Sequence, residues 1–299
     1  MRVPTLLFSS ARFLARQMPY FGKLKDQLAW QTLRHWVALR VDPRTNSTFT
    51  GFFRLPSQFD ALTGPVITLL TRERPMSRLR VVAFGCSNGA EAYSIASMLM
   101  VRRPDVDFQV DGYDINADMC EKARSGCYNA SEVLNNHMLS AEFMQATFDV
   151  GSDVYRVKPN IAARTSFHVA DALSPALEKQ IGQCDILFAQ NFLFHLDRNA
   201  AVRAFDNLCR LLKPRAALFI DGMDIDLRRR CTRQRRLIPL DFRIEQIHNE
   251  ARRARAVGWP YSYWGLEPFM TFAGDWRSRY ATIFLKDDAQ TAASRLARA

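Results

Sequence analysis

The stretch Leu79-Arg-Val-Val-Ala-Phe-Gly-Cys-Ser-Asn-Gly-Ala-Glu-Ala-Tyr-Ser-Ile-Ala-Ser-Met-Leu-Met100 decides the fold. Val81, Val82, Ala83 and Phe84 form an unbroken apolar run that stops at Gly85, the pattern of a central parallel strand covered on both faces. Gly85 and Gly89 let the backbone turn sharply and approach a ligand where a Cβ would collide. Ile95, Met98 and Leu99 then recur at helical spacing. The stretch therefore predicts strand, tight turn and helix N-terminus, a geometry suited to a nucleotide-type ligand. Taken alone it leaves the ligand open, because glycine turns of this spacing join strands to helices in many proteins.

Downstream, strand and helix patterns alternate, which predicts a parallel sheet with helices on both faces. Phe108–Asp114 reads as the second strand, 117–125 as a helix, 165–169 as the third strand and Cys184–Gln190 as the fourth. A helix carrying Val202, Phe205, Leu208 and Leu212 is expected to run to Lys213-Pro214, followed by a fifth strand over 216–221. Residues 127–164 show no clear period apart from a hairpin over 148–157 that turns at Gly151-Ser152. Asp114 lies about 25 residues beyond the glycine turn, the offset at which an acid accepts hydrogen bonds from ribose hydroxyls in dinucleotide-type folds. Capping of the next helix is the competing explanation for it. Ligands of open parallel sheets sit outside the carboxyl ends of the strands. Gly85 to Gly89, Asp114, Asp171 and Gln190 to His195 all fall there, so four chain segments converge on one crevice.

Upstream, Phe13, Leu14, Leu24, Leu28, Leu33, Trp36 and Val37 sit at roughly helical spacing among Arg and Lys. This predicts a basic amphipathic helical region over residues 1–45, suited to an anionic membrane, to an acidic partner, or to packing on its own domain with a solvated face. Polar Thr71 to Ser77 closes it, placing a boundary near residue 75: an N-terminal region 1–75 and a main domain 76–299. With 48% hydrophobic residues and 21 phenylalanines the chain has material for a large core, which excludes global disorder. Its formal charge of +11 favours acidic partners or marks a soluble basic surface. The six cysteines form no C-x-x-C pair and no metal-like spacing with the five histidines, so reduced thiols in a cytoplasmic protein and no metal site are expected. No apolar run approaches the ~20 residues of a membrane span. The first ten residues are too short and too weakly apolar for a signal peptide.

Five features, in order, resemble the CheR type of chemotaxis receptor methyltransferase. They are Thr50-Gly-Phe-Phe-Arg54 with Phe59; Gly85 to Ser94; Asp114-Ile-Asn with Glu121 to Gly126 and Tyr128; Phe167 with Asp171; and Asp185-Ile-Leu-Phe with Asn191 and Leu211-Leu-Lys-Pro214. The resemblance runs from about Thr50 to Asp221. It implies a class I methyltransferase: an α/β, Rossmann-like, mostly parallel seven-stranded sheet with an N-terminal helical region, using S-adenosylmethionine. It implies cofactor contacts from Thr50, Arg54, Gly85, Ser87, Gly89, Glu91, Asp114, Ile115, Asp171, Ala172, Gln190 and Asn191, with Arg54 reaching in from the N-terminal side. Arg54, Gln190, Asn191 and His195 are then the candidate catalytic residues.

Departures from the family pattern matter equally. Its two consecutive acids after the glycine turn are here Ala90-Glu91; the arginine before the asparagine is Gln190; the tyrosine four residues after it is His195; and the glycine pair after Lys-Pro is Arg215-Ala216. Gln190 and His195 occupy positions that face the methyl acceptor in the family, which implies a changed substrate. After Asp221 come Leu227-Arg-Arg-Arg230 and Arg233-Gln-Arg-Arg236, a predicted helix over 244–256, an aromatic run from Trp259 to Phe269 with Trp276, and a closing strand over 280–285. The arginine runs read as a solvated face or a partner surface. The aromatic run reads as core or as the wall of a pocket for a long apolar group. Length, basic N-terminus and this extension resemble the PhcB group of quorum-signal enzymes, similar to methyltransferases that esterify 3-hydroxy fatty acids.

A carboxylate acceptor, with a pKa near ~4 to 4.5, is ionised at neutral pH and needs a holder rather than a base. A phenol would need a base, and His195 has a suitable unperturbed pKa near ~6.5. The leading expectation is a carboxyl O-methyltransferase acting on a 3-hydroxy fatty acid, free or on an acidic carrier protein, at the cytoplasmic membrane face. Two alternatives stand beside it: methylation of chemoreceptor glutamates, and a non-catalytic cofactor-binding regulator. Nucleic acid is not expected as a partner, since no Pro-Pro-Tyr-type motif follows the fourth strand.

Overall fold

The computed structural model describes residues 50–72, 78–136, 138–256, 269–271 and 274–287. The basic helical reading of residues 1–45, the boundary near residue 75 and the aromatic run over 259–268 lie outside the described residues.

Seven strands form the central sheet: β1 (Leu79–Phe84), β2 (Phe108–Asp114), β6 (Thr165–Val169), β7 (Cys184–Gln190), β8 (Leu212–Asp221), β9 (Ile238–Pro239) and β10 (Ile283–Lys286). Their order is β6-β2-β1-β7-β8-β10-β9, parallel except where β10 pairs antiparallel with both neighbours. This is the expected mostly parallel seven-stranded α/β sheet. β1 is an interior strand with β2 and β7 on either side, and its run Val81 to Phe84 is apolar because successive side chains enter opposite cores. Val81 and Ala83 pack with Ile186, Phe188 and Phe219 in one core; Val82 and Phe84 pack with Leu187, Ala189 and Leu218 in the other.

The helices include α1 (Pro56–Ala61), α2 (Ala90–Arg102), α3 (Ala117–Ser125), α4 (Arg198–Arg210), α5 (Ile225–Gln234), α6 (Ile244–Ala256) and α7 (Trp276–Tyr280), with further short helices such as Ala141–Thr147 between them. Their starts are chemically marked. Asn116 accepts from the Asp118 and Met119 amides, Asp197 from the Asn199 and Ala200 amides, and Asp224 from the Leu227 amide, supplying the side-chain oxygens that helix N-termini lack.

The predicted hairpin is present as β4 (Phe148–Val150) and β5 (Tyr155–Val157), closed by the Gly151 amide on the Val154 carbonyl. A third strand, β3 (Cys127–Tyr128), joins it in a small antiparallel sheet that the weak periodicity of 127–164 did not reveal. Two boundaries differ from the sequence reading. α4 stops at Arg210 and β8 begins at Leu212, running through Pro214. Arg215 takes φ 60° there and the register against β7 breaks between Cys184 and Ile186, so the strand absorbs its proline in an irregularity. The closing strand begins at Ile283, because Tyr280 ends α7 and buries its ring against His248 and Phe269 at centroid distances of 4.7 and 4.9 Å.

Candidate functional site

Where β1, β2 and β7 end at their carboxyl edge, a cleft opens. The β1 turn forms its floor. Gly85 and Gly89 both adopt positive φ, 74° and 86°. A Cβ at Gly85 would meet the Phe192 ring at 2.8 Å, so only glycine lets the two loops close on each other. Gly85 lines the cleft, but Gly89 does not. Its absent Cβ makes room instead for Ala123 and Phe167, at 2.8 and 2.9 Å. Gly89 therefore sets the packing of the start of α2 against Ala123 and Phe167.

Asp114 ends β2 in the cleft. Its carboxylate accepts the Ser87 amide at 2.7 Å and the Asn116 amide at 2.9 Å. Burial pushes its pKa up, and those backbone donors pull it back. Each oxygen retains acceptor capacity for a ligand hydroxyl. The competing reading of Asp114 as a helix cap fails, since Asn116 caps α3. Ile115 stands beside Asp114, and Asp171 and Ala172 line the same cleft from beyond β6. Asp171 accepts the Leu173 amide at 2.9 Å, which fixes the turn it sits on.

Glu91, in the first turn of α2, carries a pKa pushed up to about 7 by burial, with the nearby Arg54 guanidinium acting in the opposite direction. Arg54 arrives on the segment Thr50 to Leu55, which is fastened over the cleft from three sides. Asn135 holds the Thr50 carbonyl and Asn136 the Phe52 and Phe53 carbonyls. The Phe53 amide donates to Ser94 on α2, with Phe53 at φ 50°. Phe52 packs edge-on against Tyr128 and Phe148 of the small sheet, both at 4.9 Å. The Thr50-to-Arg54 motif and the irregular insert are thus two halves of one device.

At the end of β7, Gln190 donates through Nε2 to Gln58 Oε1, and Gln58 Nε2 donates to Thr282 Oγ1 at 2.8 Å. This chain of amides runs from the cleft through α1 to the approach of β10. Asn191 adopts φ 56° and donates its amide to the Asp221 carbonyl. Gly222 leaves it no slack: a Cβ there would stand 2.4 Å from the Asn191 Cα. His195 closes a single 3₁₀ turn and lines the cleft, its ring 4.2 Å from that of Phe194.

The structure therefore brings Thr50, Arg54, Gly85, Ser87, Glu91, Asp114, Ile115, Asp171, Ala172, Gln190, Asn191 and His195 to one cleft. Gln58 was missed from the sequence, although a glutamine between Ser57 and Phe59 on an otherwise apolar helix start was the available signal. The apolar wall of Phe53, Phe59, Phe188 and Leu196 was also unforeseen as a wall. Phe269 and Trp276 do not reach it; they pack with each other at 5.8 Å and with Tyr280 in the core. The expected long apolar pocket therefore receives nothing from these two.

The cleft suits S-adenosylmethionine on its own chemistry. Gln190 Oε1 and Asn191 Oδ1 are buried acceptors with no hydrogen-bond partner among the described residues. Such atoms carry a desolvation cost that a ligand with N–H donors and positive charge relieves. Asp114 offers the carboxylate for ribose hydroxyls, and the Gly85 turn offers close backbone approach.

Comparison with known proteins agrees. Residues 48–228 match the family "CheR methyltransferase, SAM binding domain". The chain is 31% identical over 172 residues to a "Probable biofilm formation methyltransferase WspC" of Pseudomonas putida, covering 57% of this chain and 40% of that protein. It is 27% identical to the Pseudomonas aeruginosa protein of the same name, covering 69% of this chain and 48% of the relative. It is 28% identical to "Chemotaxis protein methyltransferase 2" of Vibrio cholerae, covering 67% and 68%. The chain thus spans less than half the length of the first two relatives. These matches do not show the resemblance to the PhcB group. The chain belongs to the CheR methyltransferase family, matching it through the domain that binds S-adenosylmethionine.

Proposed function

We propose that this protein transfers the methyl group of S-adenosylmethionine to a carboxylate carried by a protein, a glutamate side chain. The cofactor supplies an activated methyl on a sulfonium. The observation that carries the reading is the presence of Arg54, Gln190, Asn191 and His195 together in the wall of the cofactor cleft. That wall holds an anion without a dedicated base, which suits a carboxylate already ionised at neutral pH. Methyl transfer is an in-line displacement, so the protein's task is alignment and exclusion of water. Arg54 offers the charge that orients the acceptor, and the Gln58–Gln190 contact keeps the Gln190 amide from rotating. The names of the Vibrio cholerae relative and its like, chemotaxis protein methyltransferases, support a protein acceptor. Incubation with tritiated cofactor and membranes carrying chemoreceptors is expected to label a protein, and the label should leave as methanol in mild base. Base-stable label would point to another acceptor atom.

A second acceptor class, a hydroxylated fatty acid, has one observation in its favour: neutral Gln190 beside Phe53, Phe59 and Phe188 makes the wall less cationic and more apolar than an arginine would. The same assay with 3-hydroxy acids of ~12 to 16 carbons, a range matched to a pocket of this class, decides between them. Cofactor affinity with no product from either acceptor class would instead favour a regulator without turnover.

A further inference from the structure

α4 and α5 begin side by side at the mouth of the cleft, α4 directly after His195 and Leu196, and α5 just after Gly222. Some of the arginines near them are neutralised. Arg228 pairs with Asp221, Arg229 with Asp275, and Arg235 with Asp206 across the two helices. Arg198, Arg203, Arg230 and Arg233 are exposed and form no salt bridge with a described carboxylate. Arg230 and Arg233, at i and i+3, share one face of α5, and the Arg235–Asp206 bridge lays α5 along α4. Arg198 of α4 acts electrostatically on Asp224 at the start of α5, and both Arg198 and Arg230 act on the buried thiol of Cys231. At 1.5 Å per helical residue, the strip from the start of α5 to Arg233 runs about 12 Å down the flank from the cleft mouth.

We propose that this α4–α5 strip is the docking surface for the acidic polypeptide that presents the methyl-accepting carboxylate. The proposal rests on the protein-acceptor reading above. Arginine forks match carboxylates in two-point contacts, and clusters of them recognise acidic motifs. The strip continues into the wall formed by His195 and Leu196, so a segment lying on it delivers a side chain to the cleft. A membrane suits the surface less well, because the exposed residues of α5 (Asp226, Arg230, Arg233, Gln234) include no aromatic or large apolar anchor.

The test uses the full chain and a fluorescein-labelled, glutamate-rich helical peptide of 20 residues, read by anisotropy at two salt concentrations. The triple variant Arg198→Glu, Arg230→Glu, Arg233→Glu is expected to weaken peptide binding by tenfold or more, which is about 1.4 kcal/mol, and to flatten its salt dependence. Its affinity for S-adenosylmethionine by calorimetry should be unchanged, which shows that the fold is intact. Equal peptide affinity in the variant and the parent overturns the proposal. So does a parent that prefers phosphatidylglycerol vesicles or single-stranded RNA of equal charge to the peptide. The two levels separate cleanly: charge-dependent docking of peptides that are never methylated sinks the protein-acceptor reading, whereas unchanged methylation by the triple variant sinks the docking surface alone.

Discussion

Glu91 is the residue through which pH enters. Its pKa stands at about 7 in the folded chain against 4.5 as a free carboxyl, chiefly because it is buried. Below pH 4.5 it is protonated in both the folded and unfolded chains. Between 4.5 and 7 the unfolded chain loses the proton first, so this group makes stability fall as pH rises; above 7 the cost is complete, at most about 3 kcal/mol. Glu91→Gln should therefore raise the melting temperature of the ligand-free protein at pH 8 and leave it nearly unchanged at pH 4.5. A cationic cofactor favours the ionised form, so binding near pH 6.5 should release a proton, seen by calorimetry in buffers of different ionisation enthalpy. The same substitution should weaken cofactor binding. Gly85 is the matching steric case. Gly85→Ala places a methyl 2.8 Å from the Phe192 ring at φ 74° and should cost about 1–3 kcal/mol in a denaturant melt, together with cofactor affinity.

Among the elements, α6 and α1 are joined across 193 residues of sequence. Glu250 of α6 accepts the Ser57 amide at 3.0 Å and the Ser57 hydroxyl at 2.6 Å, both buried, and so caps the start of α1 from 193 residues away. Asp60 of α1 bridges Arg102 of α2 and Arg243 just before α6. Three residues before Ser57 lies Arg54, and one after it lies Gln58, so this junction sets where both reach into the cleft. Glu250→Ala leaves a buried amide and hydroxyl unpaired, which should cost about 1–3 kcal/mol of stability. It should also weaken S-adenosylmethionine binding, read by calorimetry, although Glu250 does not line the cleft. Glu250→Gln keeps one acceptor oxygen and should recover part of both losses. A full loss of stability with unchanged cofactor affinity would show α6 to be a support that does not position Arg54.

For the whole molecule, the family match ends at residue 228, yet the sheet does not end there. β10 pairs along β8 from Ile283 to Lys286, and Phe284 is fully buried between the layers. A chain ending after residue 236 lacks β9, α6, α7 and β10, so it bares the β8 edge and the buried faces of Ile283 and Phe284's partners. It should aggregate or melt without a cooperative transition by circular dichroism, because an exposed apolar edge strand templates association. Among the described residues no helix is long and apolar enough to cross a membrane.

Much of this was readable from the order of residues. The apolar run Val81 to Phe84, the turn at Gly85 and the acid at Asp114 are local signals, because a doubly covered strand and a positive-φ turn each restrict the residues that can occupy them. They determined the parallel sheet and its ligand edge; the cofactor followed from the five ordered motifs that resemble the CheR type. Tertiary structure alone decided what surrounds that edge. Gln58, Thr282 and Glu250 come from opposite ends of the chain, and nothing local marks a glutamine or a glutamate as the partner of a residue 132 or 193 positions away. The aromatic residues Phe269 and Trp276 looked equally suited to pocket or core; packing against Tyr280 and His248 settled that, since composition names apolar surface but not the surface it meets. Gly89 belonged by sequence with the ligand turn, and only the positions of Ala123 and Phe167 showed that its missing side chain serves the helix behind it.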